Sequence, residues 1–416
     1  MMQRSFADHA DHADRIAIFH LSMNACGGAE ILSLTLSKAL HEQGFRVHLV
    51  TTEKSNWPRI NCMLGISNES VDREYVIPPF VTLPTIYSRC FNWVCRDAVF
   101  VPLLRKKYDL TITTMQTFPV VFSDIIYMHF TDFGPNYLSQ VSGKYSQGIM
   151  RAYSLSFKGL CELFVRTYKG LSIKPMVITN SRFSKREIKR VLDIESHVVY
   201  PPVDTSKWRR LTTNGKKSNI VLTISRLEES KNLDVLPRLV KLVPHAKFIV
   251  IGSADQKSTS YVDTIISEAK RLGVSNRLAI MKNCGEAEKK DALAQAKVYL
   301  HTMRNEHFGI SIVEGMSAGL VPVVHKSGGP WIDILEREQG RYGYAYESIG
   351  EAANTITEIL GRDRLRAELS ERAQERANFF STQSFSSNML SIIRRAITLR
   401  RQRTNSYDRA VGSILT

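Results

Sequence analysis

The sequence lacks several features that would each indicate a different class of protein. Its six cysteines include no C-x-x-C pair, so neither a zinc ribbon nor a thioredoxin-like site is indicated. No uncharged apolar run reaches the roughly 18 residues that a membrane-spanning helix requires, and the N-terminal stretch MMQRSFADHADHADR lacks the apolar core of a signal peptide. We therefore expect a reduced, cytoplasmic protein that is neither secreted nor membrane-spanning.

Acidic residues are scarce relative to basic ones. The chain of 416 residues has 40 Asp and Glu against 56 Lys and Arg, a formal net charge of +16. Such an excess favours anionic partners, among them nucleotide phosphates, a pyrophosphate-linked lipid or an acidic membrane surface. No zinc-finger spacing, RNP-like aromatic motif or helix-turn-helix pattern accompanies the charge, so we do not expect a nucleic-acid partner.

The chain is longer than one hydrophobic core usually holds, and its strand patterns fall into two series that alternate with helical segments. The pattern breaks at Pro201-Pro202. It predicts an α/β protein with two Rossmann-like parallel-sheet domains. The predicted first series is 15–21, 46–51, 110–113, 125–129, 177–179 and 197–200, and the second is 220–224, 247–251, 278–281, 298–300 and 320–324.

We accordingly divide the chain into five segments. Apolar residues at helical spacing between Phe385 and Ile397 predict a terminal helix. The segments are a disordered tail (1–14), an N-terminal domain (15–205), a C-terminal domain (219–378), a helix (379–403) and a second tail (404–416).

The most informative stretch is 304–334, RNEHFGISIVEGMSAGLVPVVHKSGGPWIDI. Glu306 lies in the loop after a buried strand, and Glu314 lies inside the predicted helix 309–318, whose first N–H groups can face an anion. The turn at 327–330 predicts a second helix start beside the first. Two helix N-termini would then line one crevice.

Glu306, Phe308, Gly309 and Glu314 form the pattern E-x-F-G-x-x-x-x-E, which resembles the signature of retaining glycosyltransferases of family 4 with the GT-B fold. The segment NEHFGI, with SGGP downstream, is similar to the sequences of dolichol-pathway mannosyltransferases. These enzymes extend a lipid-linked oligosaccharide from GDP-mannose on the cytosolic membrane face. Gly315 departs from the Ala or Cys that is more frequent in the family, although a small residue is kept.

The resemblance implies a GT-B fold in which the terminal helix crosses back onto the first domain. It also implies that Glu314 binds the ribose hydroxyls of the donor and that Glu306 contacts the hexose near its reacting carbon. His129, which ends a predicted strand, would touch the donor sugar, and Asp132 is a weaker candidate. The backbone N–H groups that would hold the donor's diphosphate or hexose are those of Phe308, Gly309 and Ile310.

Arg226 and Lys231 follow the first strand of the second domain, at the carboxyl end where ligands of such sheets bind. A departing nucleoside diphosphate is stabilised either by a divalent metal or by fixed cations. The sequence has no D-x-D motif, so we expect no metal and no cofactor, with Arg226 and Lys231 in that role, as the family also implies. The Gly27-Gly28 turn would bring backbone near the donor phosphate and acceptor.

The absence of a D-x-D motif and the charged residues predict a metal-independent transferase, and the resemblance implies a retaining hexosyltransferase that is peripheral on the cytoplasmic face of a membrane. GDP-mannose is the favoured donor and a lipid-linked oligosaccharide or other glycan the acceptor. Two segments are candidate membrane surfaces, residues 147–171 and the basic end 394–403.

Two other classes stay open. Glu53 closes the second strand at the distance where a Rossmann fold keeps a ribose-binding acid, so an NAD-dependent oxidoreductase is one alternative. The second is a nucleotide-sugar-binding protein without catalytic activity.

Overall fold

The computed structural model describes residues 14–77, 101–116, 123–129, 162–163, 165–171, 174–213, 217–254 and 258–414. Within these ranges the chain forms two β-sheets of parallel strands, each packed against helices, which confirms the predicted α/β class. Long apolar stretches such as RIAIF and VYLH become the central strands, because a parallel strand covered on both faces must be apolar throughout.

The first sheet has seven strands in the order β3-β2-β1-β4-β5-β6-β7. The order reverses between β1 and β4, which opens a crevice at their carboxyl ends. The strands are β1 (Arg15–Phe19), β2 (Arg46–Thr51), β3 (Arg73–Val76), β4 (Leu110–Gln116), β5 (Ile125–Met128), β6 (Met176–Thr179) and β7 (His197–Val198). The helices are α1 (Gly28–His41), α2 (Trp57–Leu64), α3 (Val101–Arg105) and α4 (Arg182–Leu192).

The second sheet has six strands in the order β10-β9-β8-β11-β12-β13, with a reversal between β8 and β11. The strands are β8 (Ile220–Ile224), β9 (Lys247–Gly252), β10 (Leu278–Lys282), β11 (Val298–His301), β12 (Val321–His325) and β13 (Tyr344–Tyr346). The helices are α5 (Thr205–Arg209), α6 (Leu236–Leu242), α7 (Ser258–Arg271), α8 (Glu286–Gln295), α9 (Ile310–Ser317), α10 (Ile349–Gly361), α11 (Asp363–Asn378) and α12 (Thr382–Ile414), with a π-helical turn at Pro330–Ile334.

Helix α12 leaves the second domain and packs on the first. Phe385, Met389, Ile393 and Ile397 are buried in the same core as strand β1 and helix α1. The helix continues past residue 403, where we expected a tail, to Ile414. The added segment contains no proline, so nothing in its sequence stops the backbone hydrogen-bond pattern.

The basic end of α12 contacts the first domain. Arg400 pairs with Asp124 at 2.5 Å and also donates to the Arg105 carbonyl, and Arg394 donates to Gln43. These guanidinium groups therefore anchor the crossing helix, whereas the sequence had made this end a candidate membrane surface.

The other candidate membrane surface, 147–171, is described only at 162–163 and 165–171. There Tyr168 is buried, and its hydroxyl donates to the Pro175 carbonyl at 3.2 Å. None of the helices in the described part of the chain is long and apolar enough to cross a membrane.

A buried carboxylate of the second domain holds a helix of the first. Asp333, in the π-helical turn, accepts the N–H groups of Arg182 and Phe183 at 2.7 and 3.2 Å and the Tyr200 hydroxyl at 3.0 Å. The two N–H groups belong to the first turn of α4, which has no partners for them within the helix. Burial raises the pKa of Asp333. These hydrogen bonds of Asp333 join the second domain to the first.

Candidate active site

A cleft of about 450 Å³ lies between the two domains. It is lined from the first domain by the start of α1 and the end of β5, and from the second by loops that follow β8, β9, β10 and β11. Ten residues predicted for the site line this one cleft, namely Gly27, Gly28, His129, Arg226, Lys231, Glu306, Phe308, Gly309, Ile310 and Glu314. Asp132 lies outside the described residues.

Helix α9 begins at the cleft because of Gly309. This residue has φ +99°, in the left-handed region that a glycine adopts without steric cost, and it directly precedes Ile310. Phe308 points away from the cleft, into an aromatic cluster with Tyr200 and Phe380. Phe308 and Gly309 therefore present backbone to the cleft, and the N–H groups of Ile310 and Ser311 precede the first bond of the helix, which the Ile312 N–H donates to the Gly309 carbonyl.

Glu306 carries a buried negative charge. Its Oε2 atom lies 2.7 Å from the Lys231 ammonium and 3.2 Å from His301 Nε2, and its Oε1 accepts the N–H of His307. Burial by itself would raise the pKa of Glu306, but Lys231 and the two histidines hold that pKa well below its usual range. Glu306 is therefore ionised throughout the physiological pH range.

Arg226 differs from Lys231 in its freedom to move. The Lys231 side chain is only 12% exposed, whereas the Arg226 side chain is 67% exposed and pairs with neighbouring Glu228 at 3.0 Å. An exposed ion pair contributes little to stability, so Arg226 can exchange its partner for an anion at small cost. Arg226 thus needs less rearrangement than the buried Lys231 to meet an anion in the cleft.

Glu314 lies deeper in the second domain. Lys289, on α8, is 2.7 Å from its carboxylate, and the same ammonium lies 4.8 Å from the Trp208 ring. Residues of α8 were not among the predicted site residues, although Glu286 and Lys289 both line the cleft. These residues could have been predicted from the sequence, because α8 begins directly after β10, at the same edge of the sheet as Arg226.

The Gly27-Gly28 turn faces the second domain directly. A Cβ atom at Gly28 would lie 2.7 Å from the Ile310 side chain, so the starts of α1 and α9 touch across the cleft. Glu30 holds this turn by accepting the Gly27 N–H at 2.6 Å and by pairing with buried His20 at 3.1 Å. Burial acts to raise the pKa of Glu30, but the bonds from His20 and Gly27 lower it below its ordinary value.

His129 follows β5, and its buried Nε2 atom has no hydrogen-bond partner among the residues that the structure describes. Burial, reinforced by nearby His20 and His307, lowers its pKa to about 4. The pKa of His307 is likewise lowered to about 4, mainly by burial. Both imidazoles are therefore neutral at neutral pH and can donate to or accept from sugar hydroxyls.

The turn at 327–330 corrects one expectation. None of its four residues lines the cleft, so the helix start at this turn does not face the cleft beside α9. It packs behind the Glu306 loop, where the Ser327 hydroxyl accepts the Asn305 N–H and the Gly329 N–H donates to the Glu306 carbonyl. The helix starts that do line the cleft beside α9 are those of α8 and, from the other domain, α1.

Gly315, the departure from the family pattern, has a structural reason. A Cβ atom there would lie 2.6 Å from the buried Tyr299 ring, on the neighbouring strand β11. The Tyr299 hydroxyl bonds to Ser311, at the start of α9, and to the Ile224 carbonyl, at the end of β8. The large ring and the missing side chain thus fit together, and the tyrosine connects two segments of the cleft.

The architecture and the cleft define the class of protein. Two parallel-sheet domains that face each other, with a last helix returning to the first, form a GT-B fold. Residues 204–376, which include most of the second domain, match the family model described as glycosyl transferases group 1.

Curated relatives narrow the resemblance. The chain is 28% identical to the GDP-Man:Man(3)GlcNAc(2)-PP-Dol alpha-1,2-mannosyltransferase of Dictyostelium discoideum, over 68% of this chain and 61% of that protein. The enzyme of the same name from Homo sapiens is 29% identical, over 53% of this chain and 49% of that protein. The matches thus span about half to three fifths of these relatives' length.

Solved structures agree on the fold. Anabaena HepE in complex with UDP and glucose has a TM-score of 0.67 at 19% identity, over 91% of this chain and 99% of that one. Sucrose-phosphate synthase from Thermosynechococcus elongatus has a TM-score of 0.71 at 16% identity, over 93% of this chain and 100% of that one. At such identities the likeness establishes the GT-B fold alone.

Gly315→Ala is expected to destabilise the protein by about 1–3 kcal/mol, because the new methyl group overlaps the Tyr299 ring. The loss should be smaller in a Tyr299→Leu background, measured by urea denaturation. Gly361→Ala, at the end of α10 with open space around the new Cβ, is the matched control. Equal losses from both glycine substitutions would contradict the steric explanation.

The low pKa of His129 predicts a pH dependence of stability. Between pH 6.5 and about 4 the unfolded chain binds a proton at this residue that the folded protein does not, so stability falls as the pH falls through that window. His129→Gln removes this contribution, and its melting temperature should drop less between pH 7 and pH 5 than that of the wild type. His245→Gln, which removes an exposed histidine, is the control, and equal flattening by both variants would argue against the effect.

Proposed function

We propose that this protein is a retaining, metal-independent hexosyltransferase that moves mannose from GDP-mannose onto a glycan acceptor. The observation that carries the proposal is the charge arrangement in the cleft. The buried Glu306–Lys231 pair, the movable Arg226 and the start of α9 all face the same space. Together they supply an anion site beside a carboxylate that stays ionised.

The ribose and the diphosphate of the donor each have candidate partners in the cleft. The Glu314 carboxylate can accept two hydrogen bonds from the vicinal ribose hydroxyls once Lys289 gives way. The N–H groups at the start of α9 suit phosphate oxygens, because a helix N-terminus favours an anion. Arg226 offers a planar fork to two oxygens, whereas Lys231 acts as a point charge.

The proposed reaction needs no residue as a nucleophile. The bond from the anomeric carbon to the phosphate oxygen breaks, and its electron pair leaves with GDP. The acceptor oxygen attacks from the same face while its proton passes to the departing phosphate, which retains the configuration. Glu306 favours the positive charge that develops on the hexose ring. Arg226 and Lys231 stabilise the charge on the leaving group.

The donor and the acceptor are proposed from the names of the relatives. The Dictyostelium and human enzymes are named for GDP-Man and for Man(3)GlcNAc(2)-PP-Dol, a pyrophosphate-linked lipid. The net charge of +16 fits an acceptor with a pyrophosphate and an anionic membrane surface. We therefore favour a lipid-linked oligosaccharide acceptor and peripheral attachment on the cytoplasmic face.

Calorimetric titration with GDP, UDP, ADP and NAD, each with and without EDTA, tests the nucleotide and the metal before any acceptor is needed. We expect GDP to bind selectively and with the same affinity in EDTA. Binding of NAD alone would favour the oxidoreductase alternative, and loss of GDP binding in EDTA would overturn metal independence. Selective GDP binding without transfer to any lipid-linked acceptor would favour a non-catalytic protein.

Removing either cation should slow transfer more than it weakens donor binding, because the charge on the leaving group is greatest in the transition state. We expect Arg226→Ala and Lys231→Met each to lower kcat by about 100-fold or more. Lys241→Ala, on the exposed face of α6, is the matched control and should keep the wild-type rate. Unchanged kcat in both cleft variants would remove the two cations from the mechanism.

A further inference from the structure

His301 occupies a place that is costly for a histidine. It is the last residue of β11, is 2% exposed, and its backbone is held by strand pairing with β12 and by the Tyr346 hydroxyl at 3.1 Å. Among the described residues, neither ring nitrogen has a partner with hydrogen-bond geometry. Buried polar atoms almost always have a partner, and an unpaired one lowers stability. Since His301 also lines the cleft, the cost points to a role there.

The group nearest to this imidazole is Glu306. His301 Nε2 lies 3.2 Å from Glu306 Oε2, close enough for a hydrogen bond but not aligned for one. The same oxygen already accepts a hydrogen bond from the Lys231 ammonium at 2.7 Å. Among the described residues, Lys231 and His301 are the basic side chains within 4 Å of this carboxylate. His301 therefore lies next to the hydrogen bond that Lys231 donates to Glu306.

The proposed function makes competing demands on Lys231. The leaving diphosphate needs its charge, yet the buried Glu306 carboxylate needs it too. An ammonium that turns fully to the phosphates would leave Glu306 as an unpaired buried charge, which is strongly destabilising. A second donor at the same oxygen removes this conflict.

We propose that His301 is a positioning residue for the transfer reaction. When Lys231 turns toward the diphosphate, the imidazole rotates slightly and its Nε2–H donates to Glu306 Oε2. Glu306 then stays ionised and keeps its direction toward the hexose. The tautomer with the proton on Nε2 is required, and no covalent bond changes in this exchange. The inference rests on the proposed function for its consequence in turnover, but the exchange of partners can be tested without substrate.

A stability cycle tests the exchange itself. His301→Leu in the wild-type background should change the melting temperature little, because Lys231 already binds Glu306 and the imidazole adds no aligned hydrogen bond there. In a Lys231→Met background, where His301 is the remaining basic partner of Glu306, the same substitution should lower the melting temperature. Changes of equal sign and size in both backgrounds would overturn the proposal, whatever the enzyme's activity.

Kinetics test the consequence. His301→Leu should lower kcat roughly 10- to 100-fold, as expected for the loss of a hydrogen bond to a charged group, while GDP affinity changes less than about threefold. His301→Gln, whose amide nitrogen can reach a similar position, should restore most of the rate. His48→Leu is the matched control, a buried histidine of the first sheet bonded to Tyr108, and should keep the wild-type kcat.

The two levels can fail separately. If the wild type neither binds GDP nor transfers mannose, the proposed function falls, and the stability cycle still decides the exchange of partners. If the wild type transfers mannose but His301→Leu keeps its kcat, or Gln fails to restore it, the positioning role is overturned.

Discussion

The contact between the 327–330 turn and the Glu306 loop is the constraint on which the cleft depends. Cβ atoms at Gly328 and Gly329 would lie 2.4 and 2.2 Å from carbonyl oxygens of that loop, so only hydrogen fits between the two backbones. Gly328 also has φ +68°, a conformation that favours glycine. Backbone packed this closely cannot shift, and the loop therefore presents Glu306 and the start of α9 in one fixed arrangement.

The charges of the second domain are held in pairs that a ligand can exchange. Glu306 pairs with Lys231 and Glu314 with Lys289, each at 2.7 Å and largely buried. A buried ion pair gives little net stability, because both groups lose their hydration, whereas an unpaired buried charge is costly. Because each carboxylate is paired with an ammonium group, the domain can fold with these charges buried before a nucleotide binds. A diphosphate and a ribose then compete for groups already in position.

The first domain completes the cleft through contacts that are distant in sequence. Gly28 touches Ile310 across the cleft, and Asp333 caps helix α4 of the opposite domain. The outline of the fold could be predicted, since short apolar runs such as IVLTI, bounded by turn signals, indicate buried strands. The spacing of Glu306 and Glu314 likewise predicted a loop followed by a helix. The strands missed were the edge strands β3 and β13. One is largely exposed and the other has three residues, too few for a pattern.

The sequence by itself determined the two-sheet α/β class, the helix start at residue 310 and the residues predicted to line the cleft. The sheets and the helix start depend on local rules of periodicity, glycine conformation and position at strand ends, whereas His129, Glu306 and Glu314 were chosen because of the resemblance to the family motif. Only the tertiary structure decided which partners those residues have. Strand pairing and domain contact bring together side chains that are distant in sequence. His301 thus lies beside the Glu306 oxygen that Lys231 binds, Tyr299 fills the space beside Gly315, and Asp333 binds the other domain. No local pattern encodes those distances, because they arise when separate elements pack.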